Sequence, residues 1–324
     1  SGHAFNGWFT DDGTFATAWD FVNDTVSGDL TLHADFGPDI AQILASDGES
    51  LDRFGWSVSI DGDYAIVGAY GDDDNGSNSG SAYIFRRTGA NSWDTGTKIV
   101  ASDGAGGDNF GRSVSISGDY AIVGALYDDD NGTDSGSAYI FQRTGPTGSN
   151  SWDAGTKITA ADGAASDQFG YSVSISGDYA IVGAPYHDDD PALNTGSAYI
   201  FRRTGTNSWD AGTKIVASDR AQGDALGYSV SISGNYAIVG ARGDDDNGSY
   251  TGSAYIFRRA DTNSWDGGTK IVASDGAAGD YFGESVAISG DYAIVGAMYD
   301  GDNGSQSGSA YIFYRTGTNT WDGG

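Results

Sequence analysis

The 324-residue sequence has no cysteine, one methionine, four prolines and three histidines, and only two of its 45 acidic residues are glutamate (Glu49 and Glu284). The absence of cysteine excludes disulfides, thiolate metal centres and cysteine nucleophiles together. His3, His33 and His187 are scattered and form no Ser/His/Asp spacing, and no glycine-rich phosphate cradle stands out, so the residues point away from an enzyme. No apolar run approaches the length that spans a bilayer, so membrane insertion is not expected. Positive charge is scarce: 16 Lys and Arg leave a net charge of −29, which disfavours polyanionic partners such as nucleic acid or an anionic membrane.

Glycine, with 52 residues, and aromatics, at 13%, are abundant, as suits a well-filled core with many tight turns. The dominant feature is self-similarity. Gly-Ser-Ala-Tyr-Ile-Phe begins at Gly80, Gly136, Gly196, Gly252 and Gly308, and Ala-Ile-Val-Gly-Ala begins at Ala65, Ala121, Ala180, Ala237 and Ala293. Phe-Gly opens four units, at Phe54, Phe110, Phe169 and Phe282, with Leu226-Gly227 in the remaining one. Trp-Asp recurs at Trp93, Trp152, Trp209, Trp265 and Trp321.

Each unit reads as four short strands. In the first, Phe54, Trp56, Val58 and Ile60 alternate with small residues, which predicts strand A. Tyr64–Ala69 is apolar on both faces, which predicts a covered strand B. Ser81–Arg86 follows as strand C. Thr97–Ala101 is strand D, whose Lys98 suits an outer edge. Short turns such as Asp61-Gly62 imply an antiparallel meander. Such sheets cannot bury both faces alone, and stacking them around an axis gives an all-β, five-bladed β-propeller of four-stranded antiparallel blades. Asp39–Asp47 matches strand D of a unit that has not begun, and the chain stops at Trp321-Asp322-Gly323-Gly324 before the fifth strand D. The expectation is a ring closed by this N-terminal strand completing the last blade, with truncation of a larger ring as the alternative.

Strand parity puts the B–C and D–A loops on one face, and both are acidic. Calcium takes six to eight oxygen ligands, and an Asp-x-Asp turn presents two carboxylates together. The candidate metal ligands are Asp72, Asp74, Asp128, Asp130, Asp188, Asp190, Asp244, Asp246, Asp300 and Asp302 from the B–C loops, with Asp52, Asp108, Asp167, Asp224 and Asp280 from the D–A loops. The alternative is that these side chains cap backbone N–H groups. The five tryptophans Trp93, Trp152, Trp209, Trp265 and Trp321 are candidate glycan platforms, or else rim packing. Arg242-Gly243-Asp244 spells an adhesion tripeptide but lies inside the repeated acidic turn, which makes it coincidence.

The Phe-Gly opening, the Val-Gly-Ala segment (Gly183-Ala184-Pro185 in the third unit) and the Gly-Ser-Ala-Tyr-Ile-Phe strand together resemble the FG-GAP repeat of integrin α-subunits and bacterial surface proteins. The resemblance covers about residues 40–324 and implies an extracellular propeller used for adhesion, often with calcium. Two departures stand out. Integrin-type blades carry their calcium loop between strands A and B, where this chain has only Ser117-Gly118-Asp119, and integrin propellers have seven blades. In residues 1–38, Phe5–Thr10, Ala18–Phe21 and Leu30–Phe36 resemble the second half of a Listeria–Bacteroides (internalin B-type) repeat, which implies a fragment of a longer bacterial surface protein. The expected domains are therefore 1–38 and 39–324. The expected function is a non-catalytic extracellular or cell-surface module for adhesion or assembly, with calcium as cofactor and a protein, a glycan or a second copy as partner. A lectin-like propeller and a carboxylate-dependent glycoside hydrolase or lyase are the alternatives.

Overall fold

A computed structural model describes residues 41–324, apart from 147 and 189–193, together with two strands nearer the N-terminus. Those strands, β1 (His3–Phe9) and β2 (His33–Pro38), form an antiparallel pair in which Phe5 is opposite Phe36 and Phe9 is opposite His33. Ala18–Phe21, part of the internalin-type resemblance, lies outside the described residues. Two compact units are distinguished: Ser1–Leu44 with Arg87–Thr95, and Ala45–Arg86 with Gly96–Gly324.

Every element among the described residues is β, and five antiparallel sheets follow the five repeats, so the five-bladed all-β propeller fold holds. The first blade comprises β3 (Ser57–Asp61), β4 (Tyr64–Ala69), β5 (Ser81–Gly89), β6 (Ser92–Trp93) and β7 (Thr97–Ile99). The second comprises β8 (Ser113–Ser117), β9 (Tyr120–Ala125), β10 (Ser137–Thr144), β11 (Ser151–Trp152) and β12 (Thr156–Ile158). The third has β13 (Ser172–Ser176), β14 (Tyr179–Ala184), β15 (Ser197–Gly205), β16 (Ser208–Trp209) and β17 (Thr213–Ile215). The fourth has β18 (Leu226–Ser233), β19 (Tyr236–Ala241), β20 (Ser253–Asp261), β21 (Ser264–Trp265) and β22 (Thr269–Ile271). The fifth has β23 (Phe282–Ser289), β24 (Tyr292–Ala297) and β25 (Ser309–Tyr314). Strand B falls where its doubly apolar pattern predicts. The outer edge of strand C is shared. In the second blade, β12 pairs with its first half and the two-residue strand carrying Trp152 pairs with its far end.

The blades pack in sequence order through four junctions of one design. At the first, Tyr64, Ile66, Ala82 and Ile84 meet Val114, Ile116, Ala121 and Val123 of the next sheet. The same positions meet at the other three. Fully burying one such isoleucine is worth about 2 kcal/mol, so the apolar strands B and C carry much of the stability. The backbones also come close. The Ser57 hydroxyl donates to the Gly111 carbonyl at 2.8 Å, and a Cβ on Gly68 would lie 1.9 Å from that oxygen. This contact requires the glycine of each Val-Gly-Ala segment at an inner junction.

Closure differs from expectation. The fifth sheet has three strands, and no fourth pairs with β25 among the described residues; Ala41–Ala45 lies outside any strand. Gln42 stands where Lys98, Lys157, Lys214 and Lys270 stand in the D strands that pair with strand C, so this segment lacks the ammonium that supplements the backbone pairing in those blades.

Candidate functional site

The acidic loops are organised around these lysines. In the first blade, the Lys98 ammonium lies 2.7 Å from Asp72, 2.6 Å from Asp74 and 2.9 Å from Asp47. Strand C contributes Tyr83, whose hydroxyl donates to Asp47 at 2.6 Å and to Asp72 at 3.2 Å. Asp72 is buried and also accepts from the Ser81 hydroxyl and the Asp74 N–H. The second blade repeats the node with Lys157, Asp103, Asp128, Asp130 and Tyr139. The fourth repeats it with Lys270, Asp219, Asp244, Asp246 and Tyr255.

The charge balance shows in the ionisation. The Tyr83 hydrogen bond holds the Asp47 carboxyl below its usual range. Burial alone would raise Asp72, but the bonds from Lys98, Asp74 and Ser81 outweigh it and lower its pKa. Burial would depress Lys98, yet its three carboxylates raise it. In three blades the loops expected to hold a metal thus hold an ammonium ion.

The third blade departs from the pattern. His187 occupies the position of Asp72, so Asp188 corresponds to Asp73 and the loop is offset by one from the expected ligand pair; Asp190 lies outside the described residues. His187 is buried, with Nδ1 2.8 Å from Asp167 and Nε2 2.7 Å from the Lys214 ammonium. Asp188 instead accepts the Asn194 N–H, as Asp73 accepts that of Asn78. Counting three residues from each Gly-Ala pair would have revealed the substitution.

The fifth blade brings Asp275, Asp300 and Asp302 together with mutual ligand-atom distances within 4.8 Å. Tyr311 donates to Asp275 and Asp300 at 2.8 and 2.7 Å. No lysine reaches this triad among the described residues. The charge of Asp300, then that of Asp275, raises the Asp302 pKa. The chemistry of this donor set, three carboxylates with no internal cation, fits a hard divalent ion.

The D-A loop aspartates act as turn caps. Asp52, Asp108, Asp167, Asp224 and Asp280 accept the N–H of Glu49, Ala105, Ala164, Ala221 and Ala277 respectively, at 2.6–2.7 Å. Burial pushes the Asp224 carboxyl up to about 6.

Four of the five repeat tryptophans pack between blades. Trp152, Trp209, Trp265 and Trp321 each meet the strand-B tyrosine of the preceding blade edge-on, at 6.0–6.3 Å. Trp93 sits in β6 opposite Arg87. Asp153, beside Trp152, accepts the Gln142 and Gly155 N–H groups, so the Trp-Asp pair shapes the rim.

One surface breaks the repetition. The residue after each Phe-Gly or Leu-Gly pair is Trp56, Arg112, Tyr171, Tyr228 or Glu284, and Tyr70 and Arg242 follow two of the Val-Gly-Ala segments. These unlike residues form one connected strip. Trp56 meets Tyr70 edge-on at 5.0 Å, and Arg112 lies 4.4 Å over Trp56 and 5.8 Å over Tyr171. Tyr171 is 4.7 Å from Tyr228. Arg242 lies 3.6 Å over Tyr228 and pairs with Glu284 at 3.0 Å. Tyr281 continues the strip, stacked on Tyr250. Arg242 is thus committed to neighbours, which removes the adhesion tripeptide as an exposed motif. Glu284 is tied to the Arg242 guanidinium.

A search of curated proteins finds no match. Among solved structures, the chain is similar to the crystal structure of the computationally designed Ika4 protein, at 13% identity and a TM-score of 0.34, over 63% of this chain and 89% of that one. A family model described as FG-GAP repeat matches residues 38–85, 93–141, 152–201, 209–257 and 265–313. With five tandem matches over more than half of its length, the chain belongs to the FG-GAP repeat family.

Proposed function

We propose that this chain is a non-catalytic binding module of an extracellular or cell-surface protein, and that it contacts its partner through the Trp56–Tyr281 strip. FG-GAP repeats build propeller-like domains used in binding and adhesion, which sets the general class. The observation that carries the reading is the strip itself. Equivalent backbone positions in five similar blades carry Trp, Arg, Tyr, Tyr and Glu, so the fold does not dictate the residue type there. Tyr, Trp and Arg are the side chains that dominate protein interfaces, because they bury large areas and keep a polar group. The acidic surface favours a neutral or basic partner.

Calcium enters this proposal at the fifth blade, where Asp275, Asp300 and Asp302 would hold it. There it would neutralise repelling carboxylates, as Lys98 does in the first blade. The function is tested by probing the chain against surface-protein and glycan arrays, with Trp56→Ala and Tyr228→Ala alongside. A protein ligand lost in both variants, with melting temperature unchanged, supports the reading. A ligand indifferent to both variants defeats it, and a glycan ligand lost in both moves the partner class to sugars.

A further inference from the structure

Stacked guanidiniums recur in this chain, and most of them carry an anion. Among the described residues, Arg112, Arg143, Arg203, Arg242, Arg259 and Arg315 lie over aromatic rings. Four pair with a carboxylate: Arg143 with Asp119, Arg203 with Asp178, Arg242 with Glu284 and Arg315 with Asp291. Arg259 donates to the Asn235 side-chain oxygen. The Arg112 side chain alone meets no acceptor among the described residues, in a chain where 45 acidic residues face 16 basic ones.

The setting of Arg112 presents this guanidinium rather than hiding it. It is half-buried, 4.4 Å over Trp56, with Tyr70 and Tyr171 each at 5.8 Å. Rings contact the faces of a guanidinium and leave its edge, where the N–H groups point, available. Trp56 is exposed, so the place is open to a ligand. A stacked guanidinium with a free edge matches a carboxylate, which accepts two parallel N–H bonds. The same strip shows the completed arrangement. Arg242 lies 3.6 Å over Tyr228 and 5.7 Å from Tyr281, and Glu284 meets its Nη1 at 3.0 Å. At Arg112 the rings are in place, and no residue of the chain takes the part of Glu284 among those described.

We infer that Arg112 receives a single Asp or Glu side chain of the protein partner, held as Glu284 is held on Arg242. This rests on the reading of the strip as the binding surface and names the partner's anchor. The net charge of −29 repels an acidic partner at long range, so the acid stands alone in a segment that is otherwise neutral or basic. The guanidinium then discriminates as well as attracts. Covering it costs its hydration, and only a ligand that brings an acceptor offsets that loss.

A phage-displayed random peptide library tests this, selected on the whole chain and counter-selected on Trp56→Ala and Tyr228→Ala to leave strip-dependent peptides. Each such peptide is expected to contain an Asp or Glu whose change to Asn or Gln weakens binding about tenfold or more in calorimetry. Against Arg112→Gln, the acidic and amide forms of one peptide are expected to bind alike, and Arg112→Lys should recover part of the difference. The comparison of peptide forms is read on the unaltered chain, so it stands whatever the substitution does to the fold. Strip-dependent peptides that tolerate the amide overturn the inference and leave the binding surface intact. A selection that yields no strip-dependent peptide overturns both. An oligogalacturonate that binds the unaltered chain but not Arg112→Gln, where no peptide does so, puts the acid on a sugar and overturns the protein partner.

Discussion

The Lys98 ammonium lies 2.7 Å from the Asp72 carboxylate, so strand D is fastened to the loop between strands B and C by a largely buried charge pair. Removing the ammonium leaves Asp72 buried among acidic neighbours. Lys98→Met is expected to destabilise the chain by about 3 kcal/mol, read from denaturant unfolding. Lys157→Ala adds a second outcome: the vacated triad of Asp103, Asp128 and Asp130 acquires a calcium-dependent rise in melting temperature. No calcium response in that variant would mean that the triad geometry does not suit a metal.

In the unaltered chain, the proposed calcium site is the fifth-blade triad of Asp275, Asp300 and Asp302. Calcium, compared with excess chelator, should raise the melting temperature, and Asp300→Asn with Asp302→Asn should abolish the rise. An undiminished response in the double variant would assign the ion elsewhere.

The pH dependence has two opposing parts. Asp47, Asp72, Asp103, Asp162, Asp219 and Asp300 have lowered pKa values in the folded chain. Their stabilisation is present above the unfolded carboxylate pKa, about 3.9, and is lost as pH falls through the folded values. Asp224 has the opposite sign. Its folded pKa of about 6 favours the folded state at low pH, and that contribution is lost as pH rises through it. Asp224→Asn retains an acceptor for the Ala221 N–H. It should therefore melt higher than wild type at neutral pH, with the difference vanishing near pH 4. A constant difference across that range would show that Asp224 does not titrate there.

Glycine substitutions should separate inner junctions from the end face. Gly240→Ala drives a Cβ to 2.0 Å from the Gly283 carbonyl and is expected to cost about 3 kcal/mol. At Gly296 the Cβ meets only the rotatable Ser285 hydroxyl, so Gly296→Ala should cost much less in dilute solution. Equal losses would mean that junction packing is not what demands the glycine.

Trp209→Ala removes a ring packed against Tyr120 and should cost about 3 kcal/mol without changing partner binding. Trp56→Ala should do the reverse. Thermal melts and binding assays on the same two proteins read both effects.

Strand periodicity made Tyr64–Ala69 and its four copies legible, because an element apolar on both faces has to lie between two others. The loop partners were harder to read. Lys98 looks like an edge lysine until strand D folds back along strand C and brings it over Asp72, a contact between residues 26 apart. His187 is hidden by counting aspartates rather than aligning on Gly-Ala. The Trp56–Tyr281 strip is invisible to any search for repeated motifs, since what marks it is difference between blades at positions the fold brings together.

The four junctions are chemically interchangeable: each forward face fits each backward face. Skipping or adding a whole blade therefore keeps the apolar junction contacts, though it interrupts the Trp56–Tyr281 strip. A gene encoding such a chain can lose or duplicate a repeat by recombination between its near-identical segments and still specify a foldable product. Array length can therefore change in a single genetic step, while the residues of the strip change one codon at a time.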